Sequence, residues 1–323
     1  MSDRYKFQFR LYRRSFLKPL QTSHGVWQVR EGIIISLVDE NGKISWGEIA
    51  PLPWFGSETL EQALEFCQQL GSIITTTTIN SIPDHLSACQ FGFESALEVF
   101  QNQEFIPIVN QLNQVKSLNY CYLLPAGETA LNLSETIWQQ QSHHIESLSA
   151  KSPLTFKWKI GVQPYLEEVE IFQQLLQSLP PTTKLRLDAN GGLNLEETKN
   201  WLEISDLSKQ VEFIEQPLAP EHFSEMLTIS SQYQTPLALD ESVAQLEQLQ
   251  WCHQQGWQGI FVIKPAICGF PSLLRQFCHN FSIDAVFSSV FETEIGRKAV
   301  LKLAQELNFR DRAVGFGVDN WLY

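Results

Sequence analysis

Residues 185–188 read Leu-Arg-Leu-Asp, an apolar run of strand length that ends in a carboxylate. The pattern recurs on both sides. Phe156-Lys-Trp-Lys159 precedes it, and Phe213-Ile-Glu215, Leu237-Ala-Leu-Asp240 and Phe261-Val-Ile-Lys264 follow. The terminal ionisable residues stand 29, 27, 25 and 24 positions apart, so each belongs to its own repeating unit. Two further apolar runs, at 120–124 and 283–287, extend the series. Polar stretches of helix length at 166–179, 195–202 and 243–255 lie between the runs. Strand–helix alternation at a period of about 25 residues predicts parallel βα units. Seven strands, with an eighth candidate at 313–318, suit a TIM-type barrel better than an open sheet. Closure itself is not legible at this level.

In a barrel the C-terminal strand ends form one ring, so residues far apart in sequence converge on one mouth. Asp188, Glu215 and Asp240 end three successive strands. Converging carboxylates repel and raise one another's pKa unless a cation lies between them. Oxygen-only ligation suits a hard divalent ion such as Mg²⁺. The bland alternative is that each acid caps the next helix or pairs with a nearby lysine. Three acids at matching places, flanked by lysine-bearing strands, weigh against it. Lys157 and Lys159 share one strand with Trp158 between them. Side chains alternate faces, so both lysines point into the mouth and Trp158 toward the outer helices. Lys264 approaches from the other side of the ring. A lysine surrounded by cations can serve as a base near neutral pH. Arg186 shares the parity of Asp188 one layer deeper and is expected in a structural ion pair. Asn190 and Glu241 are expected to orient lysines or ligands.

Residues 5–51 read as β-rich, with a turn at Asn41-Gly42. Leu60, Ala63, Leu64 and Cys67 fall at helical spacing, and a second helix is expected over 86–100. The Thr75–Thr78 run and Pro83 read as a loop. An α+β capping domain over 1–115, joined by the C-terminal tail, would thus precede a barrel over 116–323.

The chain has 323 residues, 43% of them hydrophobic and 18% charged, as expected of a folded globular protein. A net charge of −13 argues against nucleic acid or an anionic membrane as partner. The six cysteines show no CxxC pair and read as buried, reduced thiols of a cytoplasmic protein. The first residues carry no apolar core of signal-peptide length and no apolar run reaches about 20 residues, so neither a signal peptide nor a membrane span is expected.

Lys157-Trp-Lys159, Asp188-Ala-Asn190, Glu215-Gln-Pro217, Asp240-Glu-Ser242 and Ile263-Lys-Pro265 resemble the metal and lysine motifs of the enolase superfamily, in its muconate-lactonizing branch. The resemblance implies a modified (β/α)7β barrel with an N-terminal α+β cap. It also implies Asp188, Glu215 and Asp240 as Mg²⁺ ligands, with Mn²⁺ a possible substitute, and Lys159 and Lys264 as facing catalytic groups. Trp46-Gly-Glu-Ile-Ala-Pro-Leu-Pro53, with Phe55 and Glu58-Thr-Leu-Glu61, looks like the o-succinylbenzoate synthase family, as does Phe91-Gly-Phe-Glu-Ser-Ala-Leu97. Ser288-Ser289, with Gly296 beyond, is similar to that family's substrate-contacting segment on strand seven. Trp54 departs from the pattern, where a small residue is commoner. The family reaction is a Mg²⁺-dependent dehydration of a small carboxylate substrate in menaquinone or phylloquinone synthesis. Two facing lysines suit a racemase or dipeptide epimerase equally well, and a non-catalytic metabolite-binding barrel is a third reading.

Overall fold

The computed structural model describes residues 3–22, 25–101, 118–145 and 153–317. The boundary expected at 115–116 and the tail beyond 317 lie outside these residues. The N-terminal part is a four-stranded antiparallel sheet in the order β3-β2-β1-β4, with β1 Arg4–Thr22, β2 Gly25–Val38, β3 Ile44–Ile49 and β4 Ile73–Thr75. The expected turn joins β2 to β3. Asp39 Oδ1 accepts from the backbone N–H groups of Asn41 and Lys43, and Gly42 takes φ 81°.

Helix α1 (Leu60–Gln69) opens on a Thr59–Gln62 capping box. The Thr75–Thr78 run is not a loop. Residue 75 ends β4 and caps a short helix α2 (Thr76–Asn80), with the Thr78 side chain completing the box. A threonine hydroxyl competes for backbone partners inside a helix but satisfies free N–H groups at its start, and that cap decides the conformation. Helix α3 (Ser87–Gln101) lies against β3 at close range. A Cβ on Gly47 would stand 2.0 Å from the Gly92 carbonyl oxygen, so no other residue fits there.

The remainder alternates β5 (Cys121–Leu124), α4 (Thr129–Ile145), β6 (Thr155–Lys159), α5 (Tyr165–Ser178), β7 (Lys184–Asp188), α6 (Leu195–Ser205), β8 (Val211–Glu215), α7 (Phe223–Ile229), β9 (Leu237–Leu239), α8 (Leu246–Gln254), β10 (Ile260–Ile263), α9 (Pro271–Phe281), β11 (Ala285–Phe287) and α10 (Glu294–Leu307). Strands β5 to β11 pair in sequence order, all in parallel. The ring then closes. Val314 bridges Tyr120 beside β5, and Gly315 bridges Ser288 beside β11. The short segment at 314–315 is therefore the eighth stave of a (β/α)7β barrel.

Packing matches the strand parity read from sequence. Trp158 faces outward onto Trp201 of α6, with ring centroids 6.3 Å apart. Arg186 faces inward, 2.7 Å from Glu212, and its guanidinium lies over the Phe213 ring. Arg312 joins Glu212 to Asp284, at 2.7 Å and 2.6 Å, completing an ion chain across the barrel floor. Arg186 and Arg312 outweigh the effect of burial and hold the Glu212 carboxyl below its usual range. All six cysteines are buried and free. Burial pushes the Cys67 and Cys252 thiols up to about 12. Among the described residues no helix is long and apolar enough to cross a membrane.

Ion pairs and hydrogen bonds join the N-terminal part to the barrel, among them Ser272 N–H to Glu94 at 2.9 Å. Arg275 of α9 makes a paired contact with Glu98 of α3 and also holds Glu306 of α10 at 2.6 Å. Glu48, 1% exposed at the end of β3, accepts from the backbone N–H groups of Thr293 (2.8 Å) and Gly296 (2.9 Å) and from the Tyr12 hydroxyl (2.6 Å). A carboxylate at the start of α10 satisfies N–H groups that have no partner within the helix and complements its dipole.

Candidate active site

The parallel ladder brings the strand-end residues together. Lys159 lies opposite Asp188, and Asp188 opposite Glu215, in adjacent strands. Glu215 pairs in turn with Ala238, two residues before Asp240. Asp188, Glu215 and Asp240 are 6%, 1% and 4% exposed, so water screens them little.

Lys157 Nζ sits between two of the acids, 2.7 Å from Asp188 Oδ2 and 2.6 Å from Glu215 Oε1. Lys264 Nζ pairs with Asp240 Oδ1 and is covered by the Phe55 ring, whose centroid is 3.7 Å away. Asn190 Nδ2 donates to Glu241 Oε1 at 3.1 Å, while its backbone N–H donates to Asp188 Oδ1. Lys159 is half-buried and makes no ion pair or side-chain hydrogen bond with the described residues. The two lysines that sequence placed on facing sides thus stand in unlike surroundings.

The electrostatics show a surplus of negative charge. Burial, and then the neighbouring Asp188, push the Glu215 carboxyl up to about 8 against the pull of Lys157. Burial raises Asp240 to about 6; Lys264 opposes the shift and Glu241 adds to it. Burial would lower Lys157, but Asp188, Glu215 and Asp240 outweigh it and hold the ammonium well above its ordinary range. Among the described residues Glu241 Oε2 is buried without a hydrogen-bond partner. Three buried acids in contact with two ammoniums, with Glu241 beside them on Asn190, all offer oxygen and fit a hard divalent cation by donor chemistry. Among the described residues no three acids already close on one point as a finished cage. Their inner oxygens are turned to the lysines instead.

Ser288 and Ser289 follow β11. The Ser288 backbone N–H donates to Ile263, and its side chain stands over Gly315. The Ser289 hydroxyl is occupied: it donates to Glu292 Oε2 at 2.9 Å and accepts from the Phe291 N–H. Its engagement within the loop leaves Ser288 as the freer hydroxyl of the pair.

Several contributors were not singled out from sequence. Glu168 Oε1 and Oε2 collect the N–H groups of Gly161, Val162 and Gln163, clamping the turn after Lys159. Phe55 stands out in the sequence only as part of a motif, and its position over Lys264 depends on the one-turn helix Pro53–Phe55 above the mouth. Phe291 holds φ 61°, a strained conformation for an aromatic residue. Its ring meets Phe16 (5.2 Å) and Trp27 (5.5 Å) from the tip of the β1–β2 hairpin. Trp54 packs edge-on to Trp27 at 4.9 Å, so the large residue departing from the motif completes an aromatic cluster at the rim.

The chain matches the family model described as "Enolase C-terminal domain-like" over residues 145–318 and that described as "MenC, N-terminal domain" over residues 8–100. It is 38% identical over 322 residues to an o-succinylbenzoate synthase of Thermosynechococcus vestitus (strain NIES-2133 / IAM M-273 / BP-1), covering 98% of this chain and 93% of that one. The solved o-succinylbenzoate synthase from Thermosynechococcus elongatus BP-1, complexed with Mg in its active site, superposes with a TM-score of 0.86. It is 36% identical, with 98% of this chain and 94% of that chain covered. The L-Ala-D/L-Glu epimerase from Bacillus subtilis superposes with a TM-score of 0.76 at 18% identity, covering 97% and 89%, a likeness of fold alone.

Proposed function

This chain belongs to the o-succinylbenzoate synthase family of the enolase superfamily, and from that membership we propose that it dehydrates 2-succinyl-6-hydroxy-2,4-cyclohexadiene-1-carboxylate to o-succinylbenzoate, a step toward menaquinone or phylloquinone. Asp188, Glu215 and Asp240 would hold Mg²⁺, with Mn²⁺ as a substitute. That ion, when bound, supplies positive charge beside the substrate carboxylate, where removal of the adjacent proton builds negative charge.

Lys159 Nζ is the base. It takes the proton from the carbon next to the carboxylate and returns it to the departing hydroxyl on the same face. Lys264 keeps its proton throughout and stabilises the developing charge from the opposite side. Lys157 stays with Asp188 and Glu215 and holds them in place. Asn190 fixes Glu241, and Ser288 and Ser289 border the substrate at the end of β11. The cap is proposed to span residues 1–115 with the C-terminal tail, and the barrel 116–323. The cytoplasm is the proposed compartment, in keeping with six buried free thiols.

The observation that carries this reading is the inequality of the two lysines. Lys264 is 9% exposed, paired with Asp240 and covered by Phe55, whereas Lys159 has neither kind of contact. Dehydration on one face needs one proton-transferring amine and one fixed cation. Racemisation needs both amines to exchange protons. The test is to assay the purified protein with the cyclohexadiene substrate, with and without EDTA. Chelator-sensitive formation of o-succinylbenzoate is expected. Absence of product would overturn it, whereas racemisation of N-succinyl amino acids at a rate matching the dehydration would add a second activity and deny the two lysines their division of roles.

A further inference from the structure

Gln216, the residue after Glu215, is fully buried and takes φ 36°, a backbone conformation that non-glycine residues seldom adopt. Its contacts account for that strain. The backbone N–H donates to Ala238 at 2.8 Å, and the carbonyl accepts from Gly191, in the turn after Asp188, at 2.6 Å. The side-chain Oε1 accepts from the backbone N–H groups of Asp240 (2.9 Å) and Ser242 (3.2 Å). Nε2 donates to the Leu218 carbonyl and to Ser242 Oγ, both at 2.8 Å. A carboxamide offers two donors and two acceptor positions, and here all four are used. Because Oε1 meets two N–H donors, its orientation is fixed by its partners.

One residue thus touches the segments carrying Asp188, Glu215 and Asp240 together. We infer that Gln216 is the positioning residue for the three acids: a strut that sets the spacing of Asp240 from Glu215 and so tunes the affinity of the site for a divalent cation. The inference rests on the reading that these acids hold such a cation. No ordinary strand contact could replace the strut, since β9 ends at Leu239 and Asp240 lies beyond the ladder. Without the amide oxygen, the Asp240 and Ser242 N–H groups would be buried with no acceptor.

The test is titration calorimetry of the full-length, chelator-stripped protein with Mg²⁺. Gln216→Met conserves length and apolar bulk but removes all four hydrogen bonds. It is expected to weaken Mg²⁺ binding about 10- to 100-fold, the range found when groups supporting metal ligands are removed. The isosteric Gln216→Glu keeps the acceptor for Asp240 and adds negative charge, and is expected to bind Mg²⁺ no more weakly than the parent. A Gln216→Met protein that melts earlier without metal yet keeps the parent dissociation constant would reduce Gln216 to a packing residue and overturn the inference. So would tenfold weaker binding by Gln216→Glu, even if the Met variant failed to fold. A parent chain that binds no Mg²⁺, or an Asp240→Asn variant that binds it as tightly, would instead overturn the metal reading itself.

Discussion

Replacing Phe55 by leucine removes the aromatic face over Lys264 while leaving an apolar side chain of similar reach. The Lys264 ammonium stands 3.7 Å from the ring centroid and is 9% exposed, so the contact belongs to the desolvated end of the cation–π range. That end is about 2 kcal/mol, and the exposed end about 0.5 kcal/mol. If Lys264 serves as the fixed cation opposite the developing charge, loss of the ring lets water reach the ammonium and loosens its aim. The transition state then loses between about 0.5 and 2 kcal/mol, and kcat falls roughly 2- to 30-fold. Lys264 keeps its Asp240 partner, so the ammonium remains and substrate affinity should move less than turnover. Steady-state kinetics on the cyclohexadiene substrate would measure both constants, and Phe55→Tyr, which keeps the π face, should restore most of the loss. A Phe55→Leu enzyme with parental kcat would refute the assignment of the ring as part of the lysine's environment. A loss confined to KM would point to substrate contact instead.

Three further outcomes follow from the same geometry. Lys159→Ala should abolish turnover while leaving the Mg²⁺ dissociation constant within about threefold of the parent, since Lys159 makes no ion pair with the three acids; near-parental activity would remove Lys159 from its role. Glu48→Ala strands the Thr293 and Gly296 N–H groups in a buried setting, at about 1–3 kcal/mol each. With an unfolding entropy of about 0.7 kcal/mol/K for a chain of this length, Tm should fall by roughly 3–9 °C, read by scanning calorimetry; an unchanged Tm would deny Glu48 its docking role. Glu212, whose carboxyl Arg186 and Arg312 hold below its unfolded value, contributes stability that is present above the unfolded pKa of 4.5 and lost as pH falls through the lower folded value. Glu212→Gln should therefore flatten the acid side of a Tm-against-pH profile below about pH 4.5, and a profile parallel to the parent's would count against the ion chain.

Much of the site was legible because strand parity and the βα period are local properties. Lys159, Asp188 and Glu215 each end a strand with an apolar residue before it, Lys157 lies two residues earlier on the strand of Lys159, and alternation assigns the two lysines a common side. The same rule sends Trp158 outward to Trp201 and Arg186 inward to Glu212. The Thr75–Thr78 run shows where a local reading fails: the same threonines suit a loop and a helix start, and the hydrogen bonds actually closed make the choice.

What the chain determined by itself was the succession of strands and helices and the kind of group at each strand end, since side-chain chemistry and backbone periodicity need only neighbours along the sequence. Tertiary structure decided the rest. Closure of the ring through Val314 and Gly315, the 245-residue span joining Glu48 to Thr293, the Phe55 ring over Lys264 and the reach of Gln216 to Asp240 are meetings between segments far apart in sequence. They depend on strand register and on how the cap seats on the barrel. Those are properties of the packed whole, because each such contact exists only where two separately determined surfaces come within a few ångströms.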